Sequence, residues 1–216
     1  MHILVACDQN YYKEWGFNLL KTIQTFNPHP WLSLHCHIVN PNEYHVDWRL
    51  ENVEYTTEDY KDVSIPYLQA VRFLVAAKKF KNNERVMILD ADSVCTRTFT
   101  KEEFERVTSN VTVLRHHKEL AFHPWLCGFV TLGSGMFRQD YANNLLITKS
   151  NEWEYGHDQD ILNLLHHRHQ YKEAPIEWIC MGKVNPKSVF LTLKGDKHKN
   201  NPKYTDQLKR YIELCH

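Results

Sequence analysis

Two aspartates one residue apart, Asp90 and Asp92, are the side chains best placed to do chemistry in this chain of 216 residues. They directly follow Val86–Leu89, four apolar residues of which two are β-branched, and this pattern predicts a short buried strand. Ligands in open α/β sheets bind beyond the carboxyl ends of the strands. Two carboxylates there repel each other unless a hard cation such as Mg²⁺ or Mn²⁺ joins them to a phosphorylated ligand. The spacing therefore indicates a metal-dependent enzyme; a simple turn or helix N-terminus is the structural alternative.

Polar side chains also follow the first predicted strand. Asp8 and Asn10 offer donors and acceptors for a base or a ribose, and Tyr11 or Tyr12 offers a flat face for stacking. The alternative is that Asp8 and Asn10 only cap the helix that follows.

Two predicted helices carry polar residues that call for a partner. Arg72 lies among the apolar residues of 67–75, so it should reach a carboxylate or a phosphate, unless it extends to solvent from the helix rim. Asp158, Gln159 and Asp160 lead another helix. Capping and the helix dipole explain the two aspartates, but they do not explain Gln159.

A fourth candidate segment is 193–199. Gly195 allows close approach of the backbone to a ligand, Lys197 and Lys199 neutralise phosphate, and His198 can ligate a metal. Residues 183–210 hold eight basic side chains against two acidic ones, a local charge of +6 that leaves −6 for the rest of this neutral chain. Such a basic end favours an anionic partner such as a diphosphate, an acidic lipid surface or a nucleic acid; a solvated surface is the alternative.

The elements that must position these residues alternate between strands and helices. The patterns predict strands at 2–6, 32–39, 53–57, 86–89, 111–115 and 128–132, strand-like segments at 176–180 and 188–193, and helices at 13–26, 66–80, 101–107, 139–148, 158–168 and 204–214. This order predicts an α/β fold with a mainly parallel sheet, and long loops after the central strand would make room for a site. Length and composition predict one domain over 1–216 with a basic C-terminal segment, 183–216.

The chain starts on a strand-like segment without a basic leader or cleavage site, and no apolar run is long enough to span a bilayer. The six cysteines are scattered and form no C-x-x-C pair. Together these features predict reduced thiols, a cytoplasmic location and no integral membrane segment.

In order and spacing, these motifs resemble family 8 of the retaining GT-A glycosyltransferases, the family of glycogenin and bacterial lipopolysaccharide galactosyltransferases. The similar segments are 5–11 with 20–23, Arg72 eighteen positions before Asp90, Ser134–Phe137 for the family's Asn-Ala-Gly segment along the sugar pocket, the D-Q-D-x-x-N element at 158–163, and Pro175 with Trp178. The family closes its metal site with a histidine three residues before a glycine. Here Thr192 precedes Gly195 at that distance and His198 follows it, so the resemblance leaves His198, Thr192 or water as third ligand.

The resemblance implies a GT-A, Rossmann-like fold and transfer of a sugar from a nucleoside diphosphate donor, a UDP-sugar, with retention of configuration. It implies metal ligands Asp90, Asp92 and His198 for Mn²⁺ or Mg²⁺, catalytic residues Asp92, Asp158 and Gln159, and donor-binding residues Ala6, Asp8, Asn10, Tyr11, Arg72, Asp90, Ala91, Gly195, Lys197 and Lys199. The implied acceptor is a saccharide or a glycolipid, and the basic end leaves a nucleic acid acceptor open.

Two other functions fit parts of the sequence. Asp90 to Val94 also resembles the opening motif of haloacid-dehalogenase-type phosphatases, in which the first aspartate is the nucleophile. That motif usually lies near the N-terminus, and Gly195-Asp196 lacks the acidic partner that would accompany it. The other alternative is a non-catalytic nucleotide- or glycan-binding protein.

Overall fold

The computed structural model describes residues 1–41, 49–61, 63–116, 123–133, 135–181, 185, 187–192 and 201–215, with only the backbone of 203 and 204. The strands are β1 (His2–Asp8), β2 (Ser33–Val39), β3 (Val53–Glu58), β4 (Val86–Leu89), β5 (Ser93–Cys95), β6 (Val111–Arg115), β7 (Trp125–Leu132), β8 (Lys172–Glu173), β9 (Ile179–Met181) and β10 (Phe190–Thr192). The helices are α1 (Gln9–Tyr11), α2 (Phe17–Phe26), α3 (Ile65–Lys79), α4 (Lys101–Val107), α5 (Gly135–Leu145), α6 (His157–His169) and α7 (Pro202–Glu213). A π-helical turn, Tyr12–Gly16, joins α1 to α2, and a 3₁₀ turn spans Ser150–Glu152.

Across the described residues, the central sheet has the strand order β3-β2-β1-β4-β7-β6-β8. Strands β3, β2, β1 and β4 are parallel to one another, whereas β7 runs antiparallel to both β4 and β6. The chain winds to one side from β1 to β3 and then crosses to the other side at β4. The carboxyl ends of β1 and β4 therefore flank the point where the winding reverses, which is where α/β sheets form ligand crevices. The predicted fold class, a mainly parallel sheet flanked by helices, is confirmed.

Both faces of the central strands are covered by helices. Along β1, Ile3, Val5 and Cys7 pack in one core cluster with α2, while Leu4 and Ala6 pack in a second cluster with α3. Because both faces are buried, the sequences of these strands are continuous apolar runs and do not alternate between apolar and polar residues. None of the helices in the described ranges is long and apolar enough to cross a membrane.

A second, three-stranded sheet supports the Asp90–Asp92 turn. Strand β10 pairs antiparallel with β5 and parallel with β9, and α7 packs on this sheet through Leu208. The backbone N–H of Ser93 donates to the Asp90 carbonyl over 3.2 Å, so a tight turn leads directly from β4 into β5. The expected long loop after the central strand is therefore wrong: the aspartates lie in a turn fixed between two sheets.

Most predicted elements are present, and the differences have local causes. The helix predicted from residue 13 begins at Gln9, because the Asp8 carboxylate caps it by accepting the Tyr11 N–H over 2.7 Å. The helix predicted at 139–148 spans Gly135–Leu145, since the low helix propensity of glycine concealed its first turn. The strand predicted at 176–180 is Ile179–Met181, because the residues before it form a turn. Strands β5 and β8 are too short to show a pattern and were not predicted.

A histidine pair, formed by His2 at the start of β1 and the buried His35 of β2, is expected to make stability depend on pH. The facing ring nitrogens of His2 and His35 are 2.9 Å apart, with Glu84 beyond His2 and Glu54 beyond His35. Burial, and then the neighbouring His2, lowers the pKa of His35 to about 4, from an ordinary value of about 6.5. Between these two values the unfolded chain binds more protons than the folded chain, so stability falls as the pH falls.

We expect the melting temperature to decline from about pH 6.5 towards pH 4, and the His35→Gln variant to flatten that decline. Thermal melts at fixed ionic strength measure this decline. The range above pH 5 is the most informative, because protonation of Glu54 and Glu84 contributes least there. His167→Gln, which changes an exposed histidine of α6, is the control and should keep the wild-type profile. A wild-type profile for His35→Gln would contradict the prediction.

Candidate active site

A cavity of about 420 Å³ opens at the carboxyl ends of β1 and β4. It is lined by residues from β1 and α1, from α3, from the β4–β5 turn, from β7 and from the start of α6. The lining residues are Ala6, Cys7, Asp8, Tyr11, Ile65, Leu68, Gln69, Arg72, Asp90, Ala91, Asp92, Cys127, Tyr155, Asp158 and Gln159. The structure thus brings together nine of the predicted site residues in one cavity: Ala6, Asp8, Tyr11, Arg72, Asp90, Ala91, Asp92, Asp158 and Gln159.

Arg72 joins the two acidic motifs. Its guanidinium forms an ion pair with Asp90 and a second one, at 3.2 Å, with Asp158 Oδ2. The Arg72 side chain is 7% exposed and the Asp158 side chain 2% exposed. Burial alone would lower the pKa of Arg72, but the charges of Asp90 and Asp158 raise it above its ordinary range, so the guanidinium stays charged. The sequence predicted a carboxylate or phosphate partner for Arg72, and the structure shows two carboxylates.

Asp92 is oriented differently. Its Oδ2 accepts the hydroxyl proton of Tyr11 over 3.0 Å. Burial, and then the charge of Asp92, raises the pKa of Tyr11 above its usual range, so the phenol is protonated and donates. Asp90 therefore meets a cationic donor and Asp92 a neutral one.

Of the two polar residues predicted at the end of β1, one lines the cavity and the other does not. Asp8 caps α1 and also lines the cavity, so the structural and functional interpretations of this residue hold together. Asn10 is exposed and does not belong to the lining. Its predicted contact with a base or ribose stays a prediction.

Gln159 presents a polar group to the cavity. Asp158 Oδ1 accepts the backbone N–H of Gln159 over 2.9 Å, which fixes the first turn of α6. The side-chain Oε1 of Gln159 is buried and has no hydrogen-bond partner among the described residues. A buried amide oxygen without a partner is costly, so a ligand hydroxyl that donates to it would be favourable.

The charge of the cavity wall favours a bound cation. The lining includes four carboxylates, Asp8, Asp90, Asp92 and Asp158, against the single guanidinium of Arg72. Carboxylate oxygens suit Mg²⁺ and Mn²⁺. No group of three histidine, cysteine, aspartate or glutamate side chains able to hold a metal occurs within the described ranges. Among the described residues, Asp90 and Asp92 would therefore supply only part of the ligand set of a divalent cation.

Four predicted site residues, Gly195, Lys197, His198 and Lys199, lie outside the described residues. Thr192, the alternative third ligand, ends β10 and is aligned with Ser93 across the sheet. Thr192 is therefore opposite the residue that follows Asp92, and it does not line the cavity.

The sequence analysis missed several lining residues. Ile65, Leu68, Gln69 and Arg72 are spaced three, four and seven apart, so they share one face of α3 and could have been found from Arg72 alone. Cys127 gives no such signal, because its position depends on the pairing of β7 with β4.

The same pairing corrects the interpretation of Ser134–Phe137 as a segment along the sugar pocket. Leu89 of β4 is aligned with Phe129 of β7, and the two strands run antiparallel. The first half of β7 therefore lies beside Asp90. The residues after the end of β7 lie at the other end of β4, away from Asp90. Accordingly Gly135–Phe137 begin α5 and do not line the cavity. Ser134 lies outside the described residues.

Gly128 makes room for the Asp90 carboxylate. A methyl group at Gly128 would place its carbon 2.8 Å from Asp90 Oδ2, and the Gly128 carbonyl accepts the Asp90 N–H over 3.1 Å. We expect Gly128→Ala to lower the free energy of unfolding by about 1–3 kcal/mol through overpacking against a carboxylate fixed by Arg72. Urea unfolding measures the change.

Gly16→Ala is a matched control, because its methyl group would meet the Tyr12 ring at 3.1 Å, Cys7 and Ala91, but no carboxylate. We expect a smaller loss there. A larger loss for Gly16→Ala than for Gly128→Ala would show that overpacking against the Asp90 carboxylate is not the main cause of the loss.

The overall fold matches those of known glycosyltransferases, although no family model and no curated protein matches the chain. It is similar to GlyE of Streptococcus pneumoniae TIGR4, with a TM-score of 0.68, 17% identity and coverage of 98% of this chain and 60% of GlyE. It is similar to the galactosyltransferase LgtC, solved with donor and acceptor sugar analogs, with a TM-score of 0.69, 16% identity and coverage of 100% and 95%. The bifunctional WbbM gives a TM-score of 0.69 at 14% identity, covering 98% of this chain and 49% of WbbM.

These likenesses show the fold. The predicted resemblance to GT-A glycosyltransferases is confirmed at that level, and the chain spans about 60% of the length of GlyE and nearly all of LgtC.

Proposed function

We propose that this protein transfers a sugar from a nucleoside diphosphate donor, a UDP-sugar, to an acceptor hydroxyl with the help of Mn²⁺ or Mg²⁺. One observation carries the proposal: the Asp90–Asp92 pair and the Asp158–Gln159 pair line one cavity and are joined there by Arg72. The first pair suits a diphosphate-bound cation, and the second suits the hydroxyl groups of a sugar. The shared fold with glycosyltransferases supports the same conclusion.

The negative wall of the cavity supports the proposed cation. A nucleoside diphosphate is an anion, and four carboxylates against one guanidinium would repel it. Asp90 and Asp92 would hold the divalent ion, which when bound supplies Lewis-acid stabilisation of the leaving diphosphate. Lys197 and Lys199 would add positive charge beside the diphosphate, on which negative charge builds up as it leaves. Gly195, two residues before Lys197, would allow the backbone to approach the diphosphate closely.

The residues after β1 would receive the nucleotide. Asp8 and Tyr11 line the cavity at the end of β1, together with Ala6 and Ala91. The Tyr11 ring would stack on the base, while Asp8 and Asn10 would bind its polar edge and the ribose. Asp90 would also approach the ribose or the sugar.

The contacts of Asp158 disfavour a covalent intermediate on this residue, so the retention that the family resemblance implies would proceed by attack on the face that the diphosphate leaves. One carboxylate oxygen accepts from Arg72 and the other from the Gln159 N–H. A carboxylate paired in this way is a weak nucleophile, because attack through either oxygen would break the hydrogen bond that this oxygen accepts. Asp158 would instead keep Gln159 oriented towards the sugar hydroxyls, and the acceptor would approach on the face that the diphosphate leaves.

The mouth of the cavity would take the acceptor. Ile65 and Tyr155 both line the cavity and are 63% and 75% exposed. An exposed aromatic ring beside apolar groups suits the apolar face of a sugar, which favours a saccharide or glycolipid acceptor. Salt-sensitive binding to duplex DNA would instead identify a nucleic acid acceptor. Six free thiols fit the proposed cytoplasmic location.

Hydrolysis of UDP-sugars with Mn²⁺ and with chelator, beside a generic phosphatase substrate, tests the proposed function. We expect metal-dependent release of UDP and no turnover of the phosphatase substrate. Turnover of the phosphatase substrate alone would favour the phosphatase alternative, which needs Asp90 as a nucleophile although Asp90 is ion-paired with Arg72. Binding of UDP without turnover would favour a nucleotide-binding protein.

A further inference from the structure

Tyr11 is held at two points that belong to different parts of the cavity. Its backbone N–H donates to Asp8 Oδ1 over 2.7 Å, within the first turn after β1. Its hydroxyl donates to Asp92 Oδ2 over 3.0 Å, in the turn after β4. One side chain therefore connects the predicted nucleotide segment with the predicted metal-binding pair.

We propose that Tyr11 is a positioning residue that holds the Asp92 carboxylate in the orientation in which it receives the divalent cation. This inference rests on the proposed function. A hydrogen bond to one carboxylate oxygen fixes the rotation of the whole group, so both oxygens are already oriented before the cation arrives. Hydrogen-bond partners of metal ligands tune metal affinity in this way.

The nature of the donor supports this role. Asp90 is oriented by Arg72, whose positive charge offsets the negative charge that would attract a cation. Tyr11 orients Asp92 through a phenol hydroxyl, a donor that brings no positive charge of its own. The Tyr11 contact thus fixes the orientation of Asp92 without placing a cation beside it through that contact.

Removal of the hydroxyl alone tests this role, because the backbone contact of Tyr11 with Asp8 does not involve it. Tyr11→Phe keeps a ring for stacking on a base and removes the hydrogen bond to Asp92. Titration with Mn²⁺ alone, without nucleotide, by calorimetry or by electron paramagnetic resonance reports binding directly. We expect the dissociation constant for Mn²⁺ to rise about 10- to 100-fold.

Tyr12→Phe is the matched control. Tyr12 is the next residue, and its hydroxyl pairs with the hydroxyl of Tyr55 in β3 over 2.6 Å. We expect Mn²⁺ affinity to stay at the wild-type value in Tyr12→Phe, and thermal melts of both variants to show folded protein. Adding Tyr11→Phe to Asp92→Ala, which removes the acceptor of the hydroxyl, should cause no further loss of Mn²⁺ affinity.

The outcomes separate this inference from the proposed function. Equal Mn²⁺ affinity in wild-type protein and folded Tyr11→Phe would overturn the role of Tyr11 and leave metal-dependent transfer standing. An undiminished effect of Tyr11→Phe in the Asp92→Ala background would also overturn it, because the hydroxyl would then act through another group. Absence of Mn²⁺ binding by the wild-type protein would overturn both.

Discussion

Replacing Arg72 by methionine is expected to lower the free energy of unfolding by about 3–5 kcal/mol, the cost of breaking a buried ion pair. Methionine keeps most of the volume of the side chain but leaves Asp90 and Asp158 without their shared cation. The loss is large because the Asp158 side chain is only 2% exposed, so water cannot replace the guanidinium. Urea unfolding followed by circular dichroism measures the change.

The double variant Arg72→Met with Asp158→Asn should recover part of this loss, since the amide carries no charge to leave unpaired. Arg168→Met is the control: Arg168 is 64% exposed in its ion pair with Asp140, and such surface pairs contribute about 0–1 kcal/mol. A loss for Arg72→Met no greater than that for Arg168→Met would show that the buried network does not stabilise the fold.

Asp92→Asn is expected to lower kcat/KM for sugar transfer by about 100- to 1000-fold at saturating Mn²⁺. The asparagine has nearly the same shape, and its amide oxygen can still accept the Tyr11 hydroxyl proton, so folding should be preserved. The substitution removes one negative charge from the proposed cation site. Metal stabilisation of a leaving diphosphate is worth several kcal/mol, and each 1.36 kcal/mol of barrier is about tenfold in rate.

Asp160→Asn provides the motif control, because Asp160 belongs to the same D-Q-D element as Asp158 but is exposed and does not line the cavity. We expect it to keep near-wild-type activity. Initial rates of UDP release over a range of Mn²⁺ concentrations compare the two variants. Activity of Asp92→Asn that persists in chelator would refute the metal-dependent mechanism.

The sequence was sufficient to predict which residues meet at the site where those residues come at the carboxyl ends of predicted parallel strands. Asp8 and Asp90 each end a strand of apolar residues, and parallel strands bring their carboxyl ends to one edge. Arg72 was predictable as a partner of carboxylates because a charge inside an apolar helix must be compensated. The α/β fold followed from the alternation of strands and helices, whose periods of two and about 3.6 residues are local properties of the chain.

Tertiary structure alone decided the contacts that cross the sheet. The antiparallel direction of β7 places Cys127 and Gly128 at Asp90 and removes Gly135–Phe137 from the cavity, and no local pattern encodes strand direction. The second sheet turns the segment after Asp92 into a strand that is only three residues long. The donation from Tyr11 to Asp92 likewise joins residues 81 positions apart. Local sequence specifies residue types and periods, whereas pairing depends on which surfaces bury one another once the whole chain has folded.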